Sequence, residues 1–225
     1  MRSKSADMTL KSYAKLVTAG VGKHHSELAS LISTGNRKLP KTTAIFNMGP
    51  AHGCPSLRLG LCRAFNEKGK HICYAMKAET AMFSEVEPRR IKQKHFWFKI
   101  TAEQFASQFL LINAMKELPW NALRFNESGD FWGPKCVAKA ERIATILKPY
   151  GIRVYVYTHR ADLDYTGVRN LVVNGSGFQK EGVKNVFMMI RNVKDRPKGY
   201  AVCPMDCRVC DRCSIRGNKT VVPMH

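Results

Sequence analysis

Short apolar runs alternate with amphipathic segments, and this pattern predicts an α/β fold: an incomplete parallel barrel or an open parallel sheet. A run of four cysteines near the C-terminus adds a cysteine-rich metal-binding loop to it. The alternation is most regular in the second half, where strands are predicted over residues 122–126, 152–158, 170–174 and 185–190. The helix between the first two of these spans 134–150. Pro134 stands at its start, Val137, Ala140, Ile143, Ala144 and Leu147 recur at helical spacing, and Gly151 lies just past its end. Three regions are expected: a helical N-terminal segment over 1–35, an α/β core over 36–200, and a metal-binding tail over 201–225 packed on that core.

Taken in order, residues 7–33 read as two short helices, with Leu10, Tyr13, Ala14 and Val17, then Leu28, Leu31 and Ile32, on their apolar sides and Gly20 and Gly22 between them. A polar connector over 36–41 leads into a buried strand over 42–47, and a Gly/Pro-rich loop follows from Met48 to Pro55. Residues 74–86 are helical in character, with Pro88 expected to end the helix. After a basic stretch, residues 95–98 read as a strand with aromatics in the core, a base-stacking surface being the alternative. Thr101 and Gln104 form a capping box that opens a helix to about residue 118, carrying Phe105, Phe109 and Ile112 on one face.

The chemistry is concentrated in the cysteines. Cys203, Cys207, Cys210 and Cys213 fall within eleven residues, a density no hydrophobic core requires. A tight loop can bring them to one point, and thiolates in such a pattern select zinc or an iron–sulfur cluster. Disulfides are the rival reading. The N-terminus, however, has no apolar signal core behind it, so a reducing cytoplasm is expected, where thiols serve as ligands. Cys54, Cys62 and Cys73 form an earlier, wider-spaced group in Gly/Pro or polar surroundings and read as three further metal ligands. Cys136, alone in the first turn of a helix, reads as a core thiol. No apolar stretch approaches the ~20 residues of a membrane span, so no membrane partner is expected.

Lys and Arg number 37 against 17 acidic residues, a formal charge of +20. Such a field attracts polyanions, and nucleic acid is the expected partner. The basic residues are spread along the chain, which favours phosphate tracking over a discrete reading helix.

In parallel α/β folds ligands sit beyond the carboxyl ends of the strands. Three successive predicted strand ends carry polar loops: Asn126-Glu127-Ser128-Gly129-Asp130, Thr158-His159-Arg160, and Asn174-Gly175-Ser176-Gly177. Ordinary turn chemistry accounts for one such loop less strainedly than for three in register. A small-molecule or catalytic site is therefore expected there.

The stretches Asn36-Arg-Lys-Leu-Pro40, Gly53-Cys54-Pro55, Cys73-Tyr-Ala-Met-Lys77, Leu123 to Phe131, Val156 to Arg160 and the terminal cysteine run together resemble a family of phage and mobile-element proteins, the gene-product-eighty-eight domain family. The resemblance covers about residues 35–215 and implies a phage origin without an assigned activity. A looser resemblance is to radical S-adenosylmethionine enzymes, whose partial barrel holds a [4Fe–4S] cluster by three cysteines after its first strand. Their compact C-x3-C-x2-C spacing is absent from the early loop here and occurs instead at Cys203, Cys207 and Cys210. A permuted cluster, two separate sites, and one cluster shared by both ends all stand open.

The leading expectation is a cytoplasmic, phage-type iron–sulfur enzyme, radical-SAM-like, acting on or with nucleic acid. In it Cys54, Cys62 and Cys73 hold a [4Fe–4S] cluster, with zinc as the alternative. Ser128, Gly129, Asp130 and Asn174 bind S-adenosylmethionine, and Glu127, Asp130 and His159 carry catalysis. The rivals are a non-enzymatic zinc or iron–sulfur nucleic-acid-binding protein and a takeover protein that binds a host protein. Oligomeric state is left open by the sequence.

Overall fold

The computed structural model describes residues 25–223 apart from 64, 67, 70, 71, 82 and 83. The helical expectation before residue 25 lies outside the described residues. From there the elements are α1 (His25–Leu31), β1 (Ser33–Thr34), β2 (Thr43–Phe46), α2 (Pro55–Arg58), α3 (Tyr74–Ala81), α4 (Val86–Lys99), α5 (Ala102–Ala114) and β3 (Ala122–Phe125). Then follow α6 (Pro134–Leu147), β4 (Arg153–Thr158), β5 (Val172–Ser176), β6 (Asn185–Ile190), β7 (Ala201–Val202) and β8 (Lys219–Pro223).

The strands make one open eight-stranded sheet in the order β1-β2-β3-β4-β5-β6-β8-β7. Only the short β1–β2 edge pair is antiparallel; every other pairing is parallel. Of the two sheet forms the sequence allows, the open one is found. Because β2 to β6 follow one another in space as in sequence, right-handed crossovers put the helices on one face. On that face Phe46, Leu123, Phe125, Val154, Val156 and Val173 meet Phe105 and Phe109 of α5 and the apolar stripe of α6. Phe125 lies among the rings of Phe46, Trp97 and Phe105, with centroids 5.4–6.4 Å away. The opposite face carries Arg124, Tyr155, Tyr157, Asn174 and Asn185 and has only a small apolar cluster of its own, Ala122, Tyr155 and Val172.

Two helix expectations are corrected. Pro88 lies in the first turn of α4 and does not end a helix, since a first-turn residue has no intrahelical N–H to lose. Residues 95–98 belong to the same helix: Phe96 and Trp97 are buried in the core and Phe98 is exposed. The buried stripe of α4 also contains Arg90 and Gln93; Arg90 pairs with Glu79, and the Gln93 Nε2 donates to the Leu31 carbonyl. The capping box at Thr101 is present in both directions, at 3.0 and 3.1 Å. The third predicted strand runs over Val172–Ser176, so Asn174 is a strand residue, not a loop residue. β7 and β8 join the tail to the main sheet, which the sequence pattern did not indicate. Among the described residues no helix is long and apolar enough to cross a membrane.

Truncating the ring at the centre of the aromatic cluster, Phe125→Ala, is expected to lower unfolding free energy by about 3–5 kcal/mol in urea titration, whereas Thr101→Ala should cost about 1 kcal/mol.

Candidate metal and catalytic site

The chain leaves β3 through Asn126, which adopts a left-handed conformation (φ 57°) and holds the end of β2 by accepting the Met48 N–H at 3.3 Å. Ser128 donates its N–H to Asn47 Oδ1 at 2.8 Å and its hydroxyl to Glu79 at 3.2 Å. Gly129 has φ 72°, and a Cβ there would lie 2.7 Å from the Gly49 carbonyl oxygen. The glycine therefore admits the loop after β2, and its close approach is to backbone.

Asp130 is buried and accepts four hydrogen bonds. Oδ1 takes the Phe131 N–H and the Thr158 hydroxyl, both at 2.7 Å; Oδ2 takes the Ser56 hydroxyl at 2.6 Å and the His159 N–H at 2.9 Å. These donors come from the loops after β2, β3 and β4, so one carboxylate ties three strand ends together. Burial pushes its pKa above the usual carboxylate range, against the pull of those four bonds. With all four acceptor positions in use, Asp130 is built to hold geometry.

Glu79 of α3 is the second anchor. It accepts the N–H groups of Ala51 (2.8 and 3.0 Å) and His52 (3.3 Å), contacts His52 Nδ1 at 2.9 Å, and pairs with Arg90 Nη1 at 2.7 Å. Burial acts to raise its pKa, but the Ala51 amide and then Arg90 outweigh it, and the carboxyl lies below its ordinary value. The loop carrying Cys54 is thus fastened at Ala51–His52 by Glu79 and at Ser56 by Asp130.

Cys54, Cys62 and Cys73 are half-buried free thiols in and after that loop. Burial, then the charge of Asp130, pushes Cys54 up to about 12; burial, then the neighbouring Cys73, pushes Cys62 up to about 11. Glu127 is partly exposed, its carboxylate held by the Asn36 amide at 2.6 Å and its carbonyl by the Tyr74 hydroxyl at 2.6 Å. His159 enters the network through its backbone N–H, and burial lowers the pKa of its ring, opposed by Asp130.

The four C-terminal cysteines sit elsewhere. They line a cavity of about 520 Å³ together with Thr43, Ala122 and Arg153, the first residues of β2, β3 and β4, and with Tyr155 and Tyr157. The tail is held there by Cys203 N–H to Val221 O (2.8 Å) and Cys207 N–H to Lys38 O (3.0 Å). Burial pushes Cys213 up to about 11; Tyr157 acts to lower it and the other three cysteines act to raise it further. The two cysteine groups therefore lie at opposite ends of the strands.

Of the expected site residues, Glu127, Ser128, Gly129, Asp130 and His159 gather with the early cysteines. Asn174 does not. Its amide donates to Val156 O (3.1 Å) and Cys213 O (2.8 Å) and its oxygen accepts from Asn185 (3.1 Å), so it fixes the tail to the sheet. Sequence reasoning passed over Ser56, Glu79 and Arg90, which carry no local signal because all their partners are distant in the chain. Among the described residues, His52, Glu79 and Glu87 are the one group of three potential ligands whose atoms all lie within 4.8 Å of one another, and Glu79 there is already paired with Arg90.

A protein-family model described as gene product 88 matches residues 8–202 of this chain. No curated protein and no solved structure matches it.

Gly129→Ala combines a left-handed φ with a backbone clash and is expected to cost about 1–3 kcal/mol in chemical denaturation. Glu79→Gln should lower stability at neutral pH. A depressed carboxyl stabilises above its unfolded pKa and loses that contribution as pH falls through its folded value, so the gap from the parent should close under acid; a gap constant with pH, measured by melting from neutral to acid, would contradict it.

Proposed function

The chain belongs to the gene product 88 family, and we propose that it is a phage-type iron–sulfur enzyme of the radical S-adenosylmethionine kind that acts on nucleic acid. The observation carrying this reading is the Ser56–Asp130 bond, which brings the Cys54 loop onto the ends of β3 and β4, where parallel α/β folds place their chemistry.

The donor set suits iron–sulfur better than zinc. Thiols pushed up by burial, as Cys54 and Cys62 are, call for cationic metal to hold them as thiolates. Four sulfurs around one zinc at ~2.3 Å would stand about 3.8 Å apart. Among the described residues no three of the cysteine sulfurs lie within 4.8 Å of one another. Thiolates that each bind a different iron of a cluster stand wider than that. A [4Fe–4S] cluster on three thiolates would supply an electron and one open iron to S-adenosylmethionine.

In this reading Cys54, Cys62 and Cys73 are the ligands. Asp130 and Glu79 are positioning residues that hold the ligand loop, and Ser128 and Gly129 shape the floor beneath it. His159, whose ring burial biases toward the neutral form, is assigned the proton transfer, and Glu127 stands at the rim as a second acceptor. The +20 charge draws the nucleic acid. The C-terminal four-cysteine cavity carries a complete ligand set of its own and suits a second, closed centre. That feature also favours the rival, a non-enzymatic binding protein folded by its metal.

Protein purified without oxygen is expected to be brown, with about four irons per cluster. Cys54→Ser, Cys62→Ser and Cys73→Ser should each abolish reductive cleavage of S-adenosylmethionine. A colourless protein holding only zinc would overturn the enzyme reading; iron without cofactor cleavage would favour the binding protein. Nucleic-acid affinity should fall steeply between 50 and 200 mM salt, and salt-insensitive binding would refute the charge argument.

A further inference from the structure

Among the described residues, Arg124 is a cation with no carboxylate in ion-pair contact, although the Glu127 charge is near enough to act on it. It lies mid-strand in β3 on the polar face of the sheet, in register with Ile45 of β2 and Tyr155 of β4. Its guanidinium reaches the Tyr74 hydroxyl at 3.3 Å and stacks 5.0 Å from the centroid of the Tyr157 ring. Its Nε is buried with no hydrogen-bond partner. Glu127, the nearest acid along the chain, gives its carboxylate to Asn36 at 2.6 Å. Burial acts to lower the pKa of Arg124, but Tyr74, Tyr157, Tyr155 and the Glu127 carboxylate outweigh it and the group stays charged.

The two fully buried arginines are treated differently. Arg90 is paired with Glu79 at 2.7 Å, and Arg160 with Asp162 at 2.8 Å while it also donates to the Phe131 carbonyl. A guanidinium cannot shed its proton, so holding one away from water without a counter-charge is unfavourable unless a ligand completes it. Its planar fork matches an oxyanion. Arg124 also stands between the two cysteine groups: Tyr74 follows Cys73 directly, and Tyr157 lines the cavity of the C-terminal cysteines.

We propose that Arg124 is the receptor for a phosphate group of the substrate, which enters on the polar face of the sheet between the two cysteine groups. That the phosphate belongs to nucleic acid rests on the function proposed above; the anion site rests on Arg124 and its surroundings. Tyr74 and Tyr157 hold the guanidinium in place and leave Nε free to donate.

The test is calorimetric binding of a nucleoside 5′-monophosphate, the matching nucleoside and inorganic phosphate to the full chain purified without oxygen. Iron content and melting temperature are measured for the parent, Arg124→Lys and Arg124→Met. The parent should prefer the monophosphate to the nucleoside by tenfold or more and should bind inorganic phosphate weakly. Arg124→Met should erase the preference and Arg124→Lys keep part of it, both with parental iron content and a melting temperature no lower than the parent's. A parent without preference, or an Arg124→Met variant that retains it, would overturn the proposal. So would an Arg124→Met variant that loses iron, since the counter-charge would then be the thiolates. An iron-free parent that keeps an Arg124-dependent preference supports the phosphate site while sinking the cluster enzyme, so the two readings fail separately.

Discussion

A single buried carboxylate holds the ends of the parallel strands where they are. Asp130 draws donors from the loop after β2, from its own loop after β3, and from the end of β4. A carboxylate moved out of water loses hydration worth several kcal/mol, and four short hydrogen bonds, two of them from hydroxyls, offset that loss. None of these donors is charged, so the carboxylate holds the loops without an ion pair that would compete for a ligand. Glu79 does the same work one layer further out, and there a charged partner, Arg90, makes the anchor stronger. The loop bearing Cys54 hangs between these two anchors. Gly129 approaches the Gly49 backbone so closely that no side chain fits at Gly129.

What was legible in the sequence follows from which interactions are local. The capping box at Thr101, the Pro134 start and Gly151 stop around α6, and the runs that became β3, β4 and β6 are all written within a few residues and are found where expected. The family was legible from short contiguous stretches between residues 36 and 160, which the match over 8–202 includes, whereas the terminal cysteine run lies beyond it. Helix α4 was not. Its buried stripe reads Arg90, Gln93, Phe96 and Trp97, and half of that stripe looks like a solvated face until α1 and α3 are in place to satisfy it. Deprived of a visible helical stripe, three consecutive aromatic residues resemble a strand. β7 and β8 were hidden because a two-residue and a five-residue strand acquire meaning only from pairing across long intervals of chain.

The site divides in the same way. The polar residues after each strand were visible because strand ends are positions that topology marks for ligands, and five of the six expected non-cysteine residues do gather there. Asn174 was misplaced by two residues of strand register, enough to move it from a loop mouth into the middle of the sheet face. Its amide is then spent on the tail, which it fastens through Cys213 O. Ser56, Glu79 and Arg90 are invisible as site residues for a different reason: nothing about a serine, a glutamate or an arginine on a short helix distinguishes an anchor from a solvated side chain until its partner, 74, 28 or 11 residues away, is known.

The arrangement of the two cysteine groups bears on which of them can do chemistry. The C-terminal group lies against the first residues of β2, β3 and β4, whereas the early group follows the last residue of β2. The C-terminal group has four thiols from one short loop over a cavity, and four ligands close the coordination of a tetrahedral ion or cap every iron of a cubane. The early group offers three, which leaves one position for an outside ligand, and it lies among the fixed polar groups of the strand ends. In the proposed reading a reactive centre needs such a vacancy and a rigid frame around it, and the anchors at Asp130 and Glu79 supply the frame for the loop that carries Cys54. Arg124 lies on the sheet face opposite α5 and α6, and under the proposal its guanidinium would meet an anionic substrate there.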